Sequence, residues 1–527
     1  MIMDKLVLPI HKLCIEGTKV NLILLSLLPL CFLGCNQQAA KKDTTPPNVI
    51  FIFPDQFRNF SLGIWSEPGY DEFIPGDPDP VSTPALNQLA SESVVFSNAV
   101  SNFPLCSPYR AMMLSGMYPN SNGVNANCRK DRDVSLRTDA ECMSDVFSKA
   151  GYAVSYFGKA HYLKNDPVFN KEGTYVGTTD KPGGYYINDY DTYVPPGPDR
   201  HGIDYFVQMI KDDHFNPIVY SSDPKVVAGK KDGEQYLPHR FSAEFEAEKI
   251  MDYLDNTHGQ RNPEQPFFMI WSLNPPHNPW TEESTKMEYF DQYTENGEVK
   301  LDGLLKRENA EDTVGDYAPY YFANVSAVDH YIGQVMDKLE TLGLSENTII
   351  VFSSDHGEML GSHGKEGKLV LENESLNIPF MIKWGKKLTH RVEDLVLSVP
   401  DVLPTLVSLA GFDELIPSEV QGQNHSNVIL GENSHSDDEN YALIMNYDSR
   451  GLYSKSHTFV VKAKGGVIQE KYCYDNQNDP YQLHKVPFDE LPKALQDRLK
   501  SRLQRLLKET NDSWYVEKVG DGFLEYS

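Results

Sequence analysis

Five short runs rich in branched and aromatic residues constrain this chain most: Asn48 to Phe53, Ala153 to Phe157, Pro266 to Leu273, Thr348 to Ser353 and Pro379 to Trp384. Each is followed by polar residues, and such runs read as buried strands. Helical patterns lie between them, at Pro84 to Ser91 behind a Thr83 cap, Phe241 to Leu254 and Ala323 to Leu342. Strands alternating with helices predict an α/β fold with a mainly parallel sheet covered on both faces. Ligands of such folds collect at the carboxyl ends of the strands. Asp55-Gln56, Lys159 with His161, His277 and Asp355-His356 stand just after four of those runs, where a convergent site would draw its residues.

The stretch Asn165 to Tyr236, rich in Tyr, Gly, Asp and Pro, predicts long loops over the site mouth. From about Asn440 the texture changes to short alternating runs such as His457 to Ala463, then to the amphipathic stretch Leu491 to Leu507. These predict a smaller C-terminal α+β unit over residues 436–527, behind a catalytic domain over 47–435. No repeats or low-complexity tracts interrupt the pattern.

At the N-terminus Lys19 precedes the apolar stretch Val20 to Leu33, which ends in Phe32-Leu33-Gly34-Cys35. A membrane-spanning helix needs ~20 apolar residues, and this stretch is shorter and broken by Asn21, Ser26 and Pro29. Residues 1–34 therefore read as a lipoprotein-type signal peptide and 35–46 as a polar tether. The expectation is an exported protein, in the periplasm or on the outer membrane, touching membrane only through a lipid on Cys35. Phe32 stands where such lipoboxes usually carry Leu, so a freely soluble product stays open. Of the seven cysteines, Cys128, Cys142 and Cys473 lie outside the leader and outside the motif around Cys106. An oxidising compartment would allow Cys128 to pair with Cys142, a question that spacing leaves open.

The chain carries 75 acidic and 48 basic residues, a formal net charge of -27. Such a field disfavours nucleic acid and anionic membrane as partners, so any anionic substrate must be held by a local basic pocket. Around Cys106 the sequence reads Cys106-Ser107-Pro108-Tyr109-Arg110, continuing to Leu114, Gly116, Tyr118 and Pro119. Pro108 suits the first turn of a helix, which would set Cys106 at the N-terminus, where orphan N–H groups favour an anion.

This segment resembles the Cys-x-Pro-Ser-Arg signature of the type I, formylglycine-dependent sulfatases, with Tyr109 in place of Ser. The resemblance extends through Phe157-Gly158-Lys159-Ala160-His161, Asn274-Pro275-Pro276-His277, Ser354-Asp355-His356-Gly357-Glu358 and Gly367-Lys368, in the family's order from Pro47 to Ala410. It implies an alkaline-phosphatase-like α/β sandwich with a smaller C-terminal α+β domain. It also implies a bacterial polysaccharide-degrading sulfatase whose partners are a sulfated carbohydrate and a formylglycine-generating maturase.

Cys106 would become formylglycine, whose hydrate attacks sulfur. Asp55, Gln56, Cys106, Asp355 and His356 would bind a divalent metal. Oxygen-rich ligation suggests Ca2+, with Mg2+ or Mn2+ open. Lys159 would bind sulfate and His161 would break down the sulfo-enzyme. His277 and Lys368 would bind sulfate, one of them protonating the leaving oxygen, and Arg110 would support the formylglycine. Rival readings are a phosphonate monoester or phosphodiester hydrolase of the same superfamily, and an inactive carbohydrate-binding surface protein.

Overall fold

The computed structural model describes residues 45–177, 183–210, 213–295, 298–299, 307–310, 317–435, 440–465 and 467–514. The leader and the lipid-anchor position Cys35 lie outside them.

All five expected runs are strands of one nine-stranded sheet. Its members are β1 (Asn48–Pro54), β2 (Val94–Val100), β3 (Ala153–Lys159), β4 (Tyr205–Ile210), β5 (Ile218–Ser221), β6 (Phe267–Leu273), β9 (Thr348–Phe352), β10 (Phe380–Trp384) and β11 (Arg391–Ser398). Their order is β11-β2-β10-β9-β1-β6-β3-β4-β5. The run β9-β1-β6-β3-β4 is parallel throughout, whereas β10 and the edge strand β5 run antiparallel to their neighbours. The short pair β7 (Thr294–Glu295) and β8 (Glu298–Val299) stands apart.

Alternation along β1 shows why the sheet has two covered faces. Val49, Phe51 and Phe53 point into one hydrophobic core, and Ile50 and Ile52 into the other. The first core is closed by α2 (Cys106–Ser115), α3 (Met143–Lys149), α6 (Val402–Leu409) and α7 (Lys493–Glu509). The second is closed by α1 (Pro84–Ser91), α4 (Ser242–Leu254) and α5 (Ala318–Thr341). A strand buried on both faces has no polar side to alternate with, hence the continuous apolar runs in sequence.

A second, antiparallel sheet follows: β12 (Ala442–Met445), β13 (Ser449–Tyr453), β14 (His457–Lys464), β15 (Val467–Asp475) and β16 (Val486–Pro487). Its inward residues Leu443, Leu452, Phe459 and Cys473 join the first core, so the two sheets share one apolar interior.

Two details differ from expectation, and a third settles a question left open. The stretch Asn165 to Tyr236 is not all loop, because β4 and β5 extend the sheet within it; these short edge strands carry tyrosines and a glutamine that mask the apolar signal. Thr83 stands at the start of α1 without capping it: its hydroxyl accepts the Gly63 N–H and donates to Asn87. Cys128, Cys142 and Cys473 are all free and buried, which answers the open pairing question.

Candidate active site

Asp55 leaves the carboxyl end of β1, and its N–H is held by the Leu273 carbonyl at the end of neighbouring β6, 2.9 Å away. Lys159 ends β3, and Asp355 and His356 follow β9. These adjacent parallel strands thus deliver their terminal residues to one point. Cys106 comes from outside the sheet, as the first residue of α2, and is 2 % exposed.

Donor atoms of Asp55, Cys106, Asp355 and His356 all lie within 4.8 Å of one another, and all four residues are buried. The Cys106 sulfur is 3.3 Å from His356 Nε2 and 3.8 Å from Asp55 Oδ1. His356 Nδ1 lies 2.9 Å from the Gly357 carbonyl and so donates to it, which turns the Nε2 lone pair toward the cluster. Two carboxylates, a sulfur and an imidazole nitrogen converging in a buried pocket fit a divalent cation.

Gln56 is placed beside this group in a left-handed conformation (φ 67°). Its backbone N–H donates to Asp355 Oδ1 at 2.9 Å. Its side-chain oxygen accepts Lys368 Nζ at 2.6 Å, while its amide N–H donates to Glu358. Glu358 is a residue to which sequence reasoning gave no role. It also accepts the backbone N–H of Leu360 and Gly367, so it holds the Lys368 loop against Gln56.

Arg110, one turn along α2 from Cys106, is wholly buried and reaches four acceptors. Nη2 donates to Asp55 at 2.9 Å and Asp355 at 3.2 Å; Nη1 donates to the Lys159 carbonyl at 2.6 Å and to Ser272. Ser272 and Tyr156 donate to that same Lys159 carbonyl, fixing the end of β3. Nothing in the sequence distinguishes Ser272, a small polar residue inside an apolar strand. Its neighbour Gly158 (φ 100°) must be glycine, since a Cβ there would stand 1.9 Å from the Ser272 carbonyl oxygen.

Lys159 Nζ donates to Asp55 Oδ2 at 2.7 Å. His161 Nε2 donates to the Cys128 carbonyl at 3.1 Å, leaving a buried Nδ1 without a partner among the described residues. His277 is half-buried and donates from Nδ1 to the Asn278 carbonyl. The structure thus brings Asp55, Gln56, Cys106, Arg110, Lys159, His277, Asp355, His356 and Lys368 together, while His161, two residues beyond Lys159, makes its contact with Cys128 outside that group.

Charge organises the site. Burial acts to raise the Asp55 carboxyl, but Lys159, His277, Lys368 and Arg110 together hold it well below the usual range. Asp355 goes the other way, pushed up to about 6 by burial and by the Asp55 charge. The Cys106 thiol is also held low: burial and Asp55 oppose ionisation, and Lys368, Lys159 and His356 outweigh them. His277 is pushed down to about 4, by burial first and then by Lys368, so the ring is neutral at pH 7.

An α/β sandwich with a buried nucleophile position, two lysines, an arginine and convergent metal-type donors at the strand ends is the architecture of an ester hydrolase for tetrahedral anions. The chain belongs to the sulfatase family: the family model "Sulfatase" matches residues 47–412, and the model "N-sulphoglucosamine sulphohydrolase, C-terminal" matches residues 361–509. It is 37% identical over 507 residues to an endo-4-O-sulfatase of Bacteroides thetaiotaomicron, covering 91% of this chain and 95% of the relative. It is 29% identical to an ulvan-active sulfatase of Formosa agariphila, covering 90% and 83%.

A solved 4S-sulfatase structure, from work on glycosaminoglycan metabolism by Bacteroides thetaiotaomicron, superposes with a TM-score of 0.83 at 35% identity, covering 91% of this chain and all of that one. The phosphonate monoester hydrolase of Agrobacterium radiobacter shares the fold, with a TM-score of 0.64 at 18% identity over 88% and 96% of the two chains. The fold is thus the alkaline-phosphatase-like sandwich, and the protein is a sulfatase, a sulfuric ester hydrolase.

Proposed function

We propose that this sulfatase removes sulfate from internal positions of a sulfated polysaccharide, using a formylglycine made from Cys106 and a divalent cation held by Asp55, Cys106, Asp355 and His356. The observation that carries the reading is the convergence of those four donors with Lys159, His277 and Lys368 at the strand ends. Similarity to an endo-4-O-sulfatase over nearly the whole chain supports a polymeric substrate and a 4-O-sulfate.

Once Cys106 is formylglycine the set would be oxygen-rich, making calcium the first choice, and the cation would supply positive charge to the sulfate oxygens and to the nucleophile. Gln56 joins its rim through the amide that Lys368 holds. Lys159 and Lys368 lie in a buried or half-buried setting where charge acts strongly, and together they neutralise the sulfate. Formylglycine at position 106, as its hydrate, would supply the oxygen nucleophile for sulfur at the start of α2.

His161, with Nε2–H bound to a carbonyl, would present Nδ1 as the base that takes a proton at the formylglycine side chain as sulfate leaves. Lys368 or His277 would protonate the leaving sugar oxygen. His277 is neutral in the free site, so it would have to take up a proton as the anionic ester binds before it could serve. Arg110 keeps both carboxylates oriented and does not titrate.

Export as a lipoprotein through Cys35, with maturation by a formylglycine-generating enzyme on the way, completes the reading. Sulfate release across defined sulfated oligosaccharides, against an aryl phosphodiester control, tests it. Release from internal 4-O-sulfated units supports the proposal. Preference for the diester, or release only at chain ends, overturns it.

A further inference from the structure

A second convergence of donor atoms lies apart from the ligand set described above. Cys142 precedes α3, Asp145 is the third residue of that helix, and His201 sits in a tight turn after Pro198-Asp199-Arg200. A sulfur, a carboxylate oxygen and an imidazole nitrogen of the three lie within 4.8 Å of one another. Cys142 and His201 are buried, at 0 % and 3 % exposed, while the Asp145 side chain keeps 26 % of its surface. Asp145 Oδ2 is 3.5 Å from His201 Nδ1.

Three local features go beyond what holding the turn in place requires. Cys142 takes the N-cap position, its sulfur accepting the Asp145 N–H while Asp145 accepts the Cys142 N–H at 2.9 Å. Ser, Thr, Asp and Asn fill that position best, so cysteine offers no capping advantage there and brings only a soft ligand. His201 is held at φ 46°, a left-handed conformation that costs a non-glycine residue energy and is retained where structure over-determines it.

Gly202 beside it allows the turn to press on the helix: a Cβ would lie 2.9 Å from the Asp145 Cα and 3.1 Å from its nitrogen. Tyr162, 1 % exposed, packs its ring edge-on against His201 at 6.2 Å and carries a hydroxyl with no partner among the described residues.

We propose that Cys142, Asp145 and His201 form a structural site for a zinc-type divalent cation, separate from the cation of the sulfatase centre. Thiolate, imidazole and carboxylate together select zinc over calcium or magnesium. Zinc bonds of ~2.0–2.3 Å place donors roughly 3.3–3.7 Å apart, the spacing at which Asp145 Oδ2 and His201 Nδ1 already stand, and the Cys142 sulfur lies within 4.8 Å of both. A water fills the fourth position, with the Tyr162 hydroxyl in the same neighbourhood. Binding displaces the thiol proton to solvent. The ion would pin the His201 turn, and with it the start of β4, to α3, so its effect is on stability rather than on turnover.

The test uses full-length enzyme stripped with chelator, refilled with CaCl2 and then titrated with ZnCl2, with metal content read by mass spectrometry after desalting. Wild type should keep one zinc equivalent at micromolar concentration and gain thermal stability from it. Cys142→Ser retains an N-cap oxygen and so should fold, yet lose at least a hundredfold in zinc affinity; His201→Gln should lose as much. Cys106→Ala must keep the equivalent, which separates this site from the sulfatase centre. Zinc content unchanged in both Cys142→Ser and His201→Gln, or absent from wild type, overturns the proposal, and neither result touches the assignment of Cys106.

Discussion

Replacing Arg110 by Met removes the guanidinium that bonds both buried carboxylates of the site. Asp55 keeps Lys159 at 2.7 Å, but Asp355 is left facing the His356 ring, 3.5 Å away and 3.6 Å from Asp55 as well. Leaving a buried charge uncompensated costs about 3–5 kcal/mol. For the roughly 480-residue unit Pro46–Ser527 the entropy of unfolding is about 1 kcal/mol per degree, so melting should fall by about 3–5 °C.

The loss should depend on pH in a set direction. Asp355 is already raised to about 6 from the ordinary aspartate value of 3.8, so the folded state binds its proton more tightly than the unfolded state does. That contribution is fully present below the unfolded value and is lost as pH rises through the folded one. Without Arg110 the folded value rises further, so Arg110→Met should melt close to wild type at pH 5 and well below it at pH 8. Chelator-treated protein is the sample, because a bound cation would shield the same carboxylates. Scanning calorimetry at the two pH values decides the matter: equal losses at both, or none at pH 8, would refute the role given to Arg110.

Cys106→Ala should abolish sulfate release while leaving the melting temperature within about 2 °C, since only one small side chain leaves the core; peptide mass analysis of active wild type should find an aldehyde at residue 106, and a thiol there in fully active enzyme would end the mechanism. His214 is buried, with Nδ1 donating to the Ser284 carbonyl, and burial pushes it down to about 4 from the ordinary histidine value of 6.5. The unfolded chain therefore takes up a proton first as pH falls, so stability should drop by up to about 3 kcal/mol between pH 6.5 and 4; His214→Phe should flatten that limb of a urea-denaturation series, and an unchanged slope would count against it. Gly158→Ala forces a Cβ to 1.9 Å from the Ser272 carbonyl oxygen, so it should cost at least ~2 kcal/mol and shift Lys159; wild-type stability and KM in that variant would show that the strands can part there.

The sequence by itself determined the layered α/β plan, because strands buried on both faces leave continuous apolar runs, and helices between them leave a 3.6-residue period. It also determined which chemistry-bearing residues follow those strands, since the carboxyl end of a parallel strand is where its polar residues meet solvent or ligand. What it left hidden were β4 and β5, short edge strands whose mixed composition gives no run, and Ser272 and Glu358, whose importance comes from neighbours more than 80 residues away in sequence.

Only tertiary structure decided that Arg110 bridges Asp55 and Asp355, that Gln56 hands its oxygen to Lys368, and that Cys128 and Cys142 stay apart. Which atoms face one another across a sheet depends on register and on the strand order β9-β1-β6-β3. No residue carries that order in its own identity, because it is fixed by the packing of all the strands at once.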